Sequence, residues 1–118
     1  MANMNIIINE YTDAKGNSPY ATWLGDLRDA KAKVILQVDR MSLGLFGDPK
    51  PIGDGLSELR IHYGPGYRVY YGKEGNTIYL LLCAGDKSTQ PKDIKIAKAY
   101  WLDHKKRLKD DKKRKTNP

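Results

Sequence analysis

The sequence is poor in the residues that metal and redox sites need. Its 118 residues include one cysteine, Cys83, and two histidines, His62 and His104. A single cysteine excludes an internal disulfide framework. One Cys with two His falls short of the usual zinc ligand sets. Long apolar runs are missing as well. The longest, residues 78–84, has the length of a strand, whereas a membrane-spanning helix needs ~20 apolar residues. The N-terminal MANMNIIINEY has no positive region followed by a long apolar one, so no secretory signal is expected. These absences lead to the expectation of a cytoplasmic protein with no membrane partner. Despite 11 glycines there is no GxxxxGK[ST] and no GxGxxG phosphate loop. No Ser–His–acid set is suggested by spacing. Asp48, Asp54, Asp86 and Asp93 are scattered over loops and helix starts, and Asp93 also suits a helix N-terminus as a dipole-complementing residue. No metal and no other cofactor is expected.

What is present is a globular composition, 40% hydrophobic and 30% charged, which excludes a collagen-like or wholly disordered chain. The length suits one domain. The net charge is +7, but it is unevenly spread. Residues 105–118 hold eight basic residues and two acids, whereas residues 1–104 hold 13 basic and 12 acidic ones. The basic end suits either a polyanion contact or a solvated helix end that fades into disorder. The expected division is a single domain over 1–108 and a basic, flexible tail over 109–118.

Residues 5–11, with three consecutive isoleucines, read as a short buried strand. Ser18-Pro19 reads as a helix start, an N-cap followed by proline at the first helical position. Tyr20, Trp23, Leu24 and Leu27 form one apolar helical face, and Val34, Ile35, Val38, Met41 and Leu45 form another. Residues 44–55 hold four glycines and two prolines and read as a loop. Three strands follow, over 56–63, 67–72 and 77–84. A final helix is expected from Pro91 to about Leu108, with Ile94, Ala97, Trp101 and Leu108 on its apolar face. The predicted fold class is α+β: an N-terminal strand, a two-helix hairpin, a three-stranded antiparallel meander and a C-terminal helix.

The first two meander strands carry the chemistry. Leu59, Ile61 and Tyr63, with Tyr67, Val69 and Tyr71, point one way. Glu58, Arg60 and His62, with Arg68 and Tyr70, point the other. The Gly64-Pro65-Gly66 turn makes these strands antiparallel neighbours, so two guanidiniums, an imidazole and a phenol share one surface. Lys87, Ser88 and Gln90 join it from the loop after the third strand. Guanidinium matches phosphate through bidentate hydrogen bonds. Tyr and His can stack on unpaired bases. The surface suits phosphodiester recognition, and it could support metal-free RNA cleavage. An ordinary structural role is the alternative: Arg60 could pair with Glu58 or Asp86, His62 could be a plain exposed histidine, and Tyr70 could fill sheet surface.

The strings ELRIHYGPGYRVYY (58–71) and AGDKSTQPKDI (84–94), with the helical segment YATWLGDLRDAKAKVILQVDRMSLGLFGD (20–48), closely resemble the HigB-like addiction-module killer proteins of the RelE/ParE toxin superfamily. The resemblance covers residues 5–107. It implies the small α+β toxin fold of that superfamily and a type II toxin–antitoxin module. The partners it implies are a cognate antitoxin, a helix-turn-helix DNA-binding protein, together with mRNA and the ribosome. The activity it implies is ribosome-dependent, metal-independent mRNA cleavage; inhibition of DNA gyrase, as in the ParE branch, or an inactive antitoxin-binding relic are the alternatives. Carried over by position, Arg68 matches the arginine used on the scissile phosphate, Lys87 the position of a second cationic residue after the last strand, and Arg60 a basic residue on the preceding strand. The sequence departs from the family at the start of the last helix, where Gln90, Pro91, Lys92 and Asp93 stand in place of an aromatic base or stacking platform. His62 and Tyr70 are the substitutes by position, and Asp93 could serve if it points into the groove. The implied catalytic set is therefore Arg68, Arg60, Lys87 and His62, with Tyr70, Gln90, Lys92 and Asp93 binding substrate.

Overall fold

A computed structural model of the chain describes residues 5–116. The expected domain and tail extend over residues 1–4 and 117–118, which lie outside the described residues. The fold is α+β: β1 (Ile7–Glu10), α1 (Pro19–Asp26), α2 (Lys31–Met41), β2 (Asp48–Gly53), β3 (Leu56–Ile61), β4 (Tyr67–Glu74), β5 (Ile78–Asp86) and α3 (Gln90–Thr116). A single 3₁₀ turn, Lys87–Thr89, joins β5 to α3.

The strands form one mixed sheet in the order β1-β5-β4-β3-β2. β2 to β5 pair antiparallel, and β1 joins parallel to β5. The meander thus has four strands rather than the expected three. The extra strand, β2, lies within the segment read as loop. Pro49 and Pro51 hid it, because proline cannot donate to a ladder and a strand containing it is tolerated only at an edge, which is where β2 sits. A tight turn links β2 to β3, with Asp54 at φ 58 between two glycines that also have positive φ. β1 corrects a second expectation. It is an edge strand with one face largely open, and Ile7 is 48% exposed.

The start of α1 follows the local chemistry of its sequence. Ser18 Oγ accepts from Ala21 N at 3.0 Å and donates to Glu10 Oε1 at 2.6 Å, which ties the helix start to β1. α1 and α2 cover one face of the sheet. There Tyr20, Val34, Val38 and Met41 pack on Leu59, Ile61, Val69, Tyr71, Leu81 and Ala84. α3 covers the other face, where Ala97 and Trp101 pack on Tyr11, Leu56, Tyr70, Leu80, Leu82 and Cys83.

A bulge between Tyr70 and Tyr71 sets Tyr70 opposite Cys83 and Tyr71 opposite Leu81. One residue on β5, Leu82, is therefore extra, which lets it join Cys83 in the same core. α3 is long, 27 residues, and continues past the expected end at Leu108 to Thr116. It is pinned near its middle. Tyr11 donates to Asp103 Oδ2 at 2.7 Å, and Arg107 donates to the Thr12 carbonyl at 2.6 Å. On the other side, His104 donates to Glu74 Oε1 at 2.6 Å. Among the described residues no helix is long and apolar enough to cross a membrane.

Candidate phosphate-binding site

The α3 face of the sheet is not uniform. Neighbouring strands align their residues in transverse rows, and three successive rows differ sharply. The row nearest Trp101 places Leu56 opposite Gly72 and Gly72 opposite Leu80. Gly72 is a notch: a Cβ there would lie 2.7 Å from the Trp101 ring. The middle row pairs Glu58 with Tyr70 and Tyr70 with Cys83. The third row runs across four strands, Asp48, Arg60, Arg68 and Gly85. Gly85 is a second notch, filled by the Asp93 carboxylate and the Thr89 hydroxyl from the start of α3. Two guanidiniums thus stand side by side between a carboxylate on β2 and a carboxylate on α3. Side chains directly opposite on antiparallel strands have Cβ atoms about 5 Å apart.

Each arginine has a fixed counter-charge. Arg60 donates to Asp48 Oδ1 at 2.8 Å, and His62 Nε2 donates to the other oxygen, Oδ2, at 2.6 Å. These two hydrogen bonds, His62 first, hold the Asp48 carboxyl below its usual range. Arg60 pairs with Asp48, not with Glu58 or Asp86, because β2 delivers Asp48 into register. Arg68 is paired from the middle row. Its Nε stands 3.2 Å from Glu58 Oε2, and its side chain is 11% exposed against a fully buried Glu58. Gln90 Nε2 donates to both Glu58 oxygens, at 3.0 and 3.1 Å. The Arg68 Nε, although near Glu58, is not aligned with it as a hydrogen bond. The Arg60 Nε, the Arg68 Nε and the Tyr70 hydroxyl are buried without a hydrogen-bond partner. Unsatisfied buried donors of this kind are uncommon in folded proteins.

Lys87 enters from the 3₁₀ turn. Its methylene stem lies over Gly66, where a Cβ would be only 3.1 to 3.3 Å from it. Arg68 Nη1 makes a long contact to the carbonyl of the same glycine, 3.5 Å. Gly66, with φ +82, is therefore the point where both cations meet the β3–β4 turn. Lys87 is exposed and has no carboxylate partner among the described residues. Asp86 caps the 3₁₀ turn through Ser88, and those hydrogen bonds lower its carboxyl. Burial raises the Asp93 carboxyl, against the lowering effect of its hydrogen bond from Thr89.

Arg60, Arg68, His62, Lys87 and Asp93 gather along one row and its ends, on the face that alternation assigned. Tyr70 is corrected. It lies on that face but is fully buried under α3, and burial followed by the nearby Glu58 charge raises its hydroxyl pKa. A ring enclosed in this way offers no stacking surface. Gln90 is likewise occupied by Glu58. Lys92 lines a separate groove with Pro91, Lys95 and Ile96. The sequence reading missed Asp48 and Gly85 as members of the row, since both depend on strand register. Glu58 was legible by alternation, and its burial was not.

No family model matches the chain. It is 49% identical over 81 residues to a protein of Haemophilus influenzae described only as an uncharacterized protein, a match that spans 67% of this chain and 82% of that one. At that identity and coverage the chain belongs to the same family as the Haemophilus influenzae protein.

Proposed function

We propose that this chain is the toxin of a type II toxin–antitoxin pair and that it cleaves mRNA on the ribosome without a metal. The observation that carries the reading is the Arg60–Arg68 row with Lys87 at its edge: three cations at one end of a sheet, one of them unpaired. The HigB-like resemblance of the two long motifs supports it, as does an element order compatible with the RelE/ParE fold. In this chemistry the ribose 2′-oxygen attacks the adjacent phosphorus and the bond from phosphorus to the 5′-oxygen breaks. The products are a 2′,3′-cyclic phosphate and a 5′-hydroxyl. Arg68, Arg60 and Lys87 offset the charge that builds on the phosphoryl oxygens. One group takes the 2′-hydroxyl proton and another returns a proton to the 5′-oxygen. His62 and Asp93, at opposite ends of the row, are the groups available for these transfers. A cognate helix-turn-helix antitoxin is the partner that would mask this end of the sheet.

A second reading has its own supporting observation. Arg60 and Arg68 are each paired internally, with Asp48 and Glu58. Arginines held in this way also suit a toxin without chemistry of its own, such as a ParE-like gyrase inhibitor, or a relic that only binds an antitoxin.

Primer extension on a reporter mRNA in a reconstituted translation system separates the two. New 5′ ends inside the reading frame, appearing only when ribosomes translate, are the expected result. An intact mRNA beside a functioning positive control would sink the nuclease reading. Inhibition of DNA supercoiling by gyrase would then select the second.

A further inference from the structure

Outside the cation row the strongest unassigned feature is a groove of about 500 Å³ between α2 and the end of β3. Lys33, Leu36, Gln37 and Arg40 form its helical wall. They follow the 3, 4, 7 spacing of one helix face, so Lys33 and Arg40 lie about 10 Å apart along the axis. The strand wall runs from Arg60 through Ile61 and His62 to Tyr63. Neither Lys33 nor Arg40 has a carboxylate partner among the described residues. The single carboxylate in the lining, Asp48, is already shared by Arg60 and His62. The Lys33 ammonium lies 4.9 Å from the centre of the Tyr63 ring, and Tyr63 is 38% exposed. Leu36 is 49% exposed beside it. Cations without counter-charges beside a half-exposed aromatic ring suit a flexible polyanion that also carries flat apolar faces.

We infer that this groove is a second RNA-binding subsite, which takes the single-stranded ribose-phosphate chain flanking the cleavage point. Arg60 and His62 line the groove and also belong to the cation row, so the two adjoin around the end of β3. Lys33 and Arg40 hold phosphates on α2, and Tyr63 stacks a base. An acidic peptide would use the same cations but would make no use of Tyr63. The inference rests on the nuclease reading for its substrate, but its contacts are separate from Arg68 and Lys87.

The test is fluorescence anisotropy of a labelled single-stranded octaribonucleotide, 2′-O-methylated so that it cannot be cut, titrated at several salt concentrations. The K33A/R40A double variant is expected to bind about tenfold more weakly. The slope of log K against log salt should shrink by about 1.4, since each lost phosphate contact on a single strand contributes ~0.7. Tyr63→Leu is expected to weaken binding about fivefold with an unchanged slope, the signature of lost stacking. The circular dichroism melting curves of all three proteins should superimpose. Equal affinity and slope for the wild type and the double variant would overturn the subsite. So would an octaglutamate peptide that competes as well as the RNA does. The primer-extension assay separates this failure from that of the nuclease reading. Cleavage that needs Arg68 but not Lys33 or Arg40 removes the subsite alone. RNA binding that needs Lys33 and Arg40, without cleavage, leaves the subsite standing and removes the nuclease.

Discussion

The two faces of the sheet are built from alternate residues of the same strands, yet they are finished in different ways. On the α1–α2 face the rows end in Leu59, Ile61, Val69 and Tyr71, and the helices complete a dry core. On the α3 face the rows grade from apolar at Gly72 and Trp101 to charged at Arg60 and Arg68, within two steps along each strand. α3 meets that gradient with Trp101 in one glycine notch and Asp93 in the other. A single helix thus seals the lower half of the face and leaves a cationic mouth at the upper end. The first face is built for stability. On the second, a buried carboxylate stands beside the cations, and three buried polar atoms, two of them the arginines' own Nε, have no hydrogen-bond partner, at a desolvation cost that a purely structural face would avoid.

Adjacent residues on β3 give the sharpest way to break the comparison. Glu58→Ala leaves Arg68 inside without a partner and should destabilise the protein by about 3–5 kcal/mol in urea unfolding. Leu59→Ala, on the other face, should cost about 2–5 kcal/mol through the cavity it opens. The two should differ in function. The folded fraction of Leu59→Ala is expected to cleave mRNA normally, and that of Glu58→Ala is not, because Arg68 loses its anchor. Arg68→Lys should lower cleavage by roughly 100-fold or more, an effect of about 3 kcal/mol, since an ammonium cannot reproduce the guanidinium fork. Its melting temperature should move far less than that of Glu58→Ala.

The notches give a smaller effect. Gly72→Ala collides with Trp101 and Leu56, and Gly85→Ala collides with Asp93 and Thr89. Each should cost about 1–3 kcal/mol, the usual range for overpacking. Only Gly85→Ala should also impair cleavage, because it displaces the start of α3 from the row.

Most of this division was legible from alternation. The period of two along 56–63 and 67–72 assigned Arg60, His62 and Arg68 to one face and Leu59, Ile61 and Val69 to the other. The Ser18 cap and the apolar stripes placed α1 and α2. What alternation cannot give is how far α3 covers its face: alternation alone puts Tyr70 and Glu58 on the surface, whereas both are fully buried. The row itself needed the register of β2, whose prolines read as loop, and so Asp48 and the Arg60–Asp48–His62 contact were hidden. Gly85 carried no sequence signal beyond being a glycine, since its role depends on Asp93 arriving from another element.

The smallest effects concern titration. Burial, followed by the Asp103 hydrogen bond, pushes Tyr11 up to about 12, and burial raises Tyr20 to about 12 as well. An acid whose folded pKa exceeds its unfolded value loses protons first from the unfolded chain, so stability should fall between pH 10 and pH 12. Tyr11→Phe should flatten that fall, at a cost of about 1 kcal/mol at pH 7 for the lost hydrogen bond to Asp103. Burial also pushes Cys83 up to about 12. Its thiol should therefore resist an alkylating reagent at pH 8 in the native protein and react once urea unfolds it.

The chemistry of the cut end tests the cationic mouth most directly. Upstream fragments from the translation assay, isolated and weighed by mass spectrometry, should end in a 2′,3′-cyclic phosphate or the monophosphate formed when that ring opens. Such ends should fall with Arg68→Lys. A 3′-hydroxyl on the upstream fragment, with a 5′-phosphate on the downstream one, would contradict attack by the 2′-oxygen at the Arg60–Arg68 row.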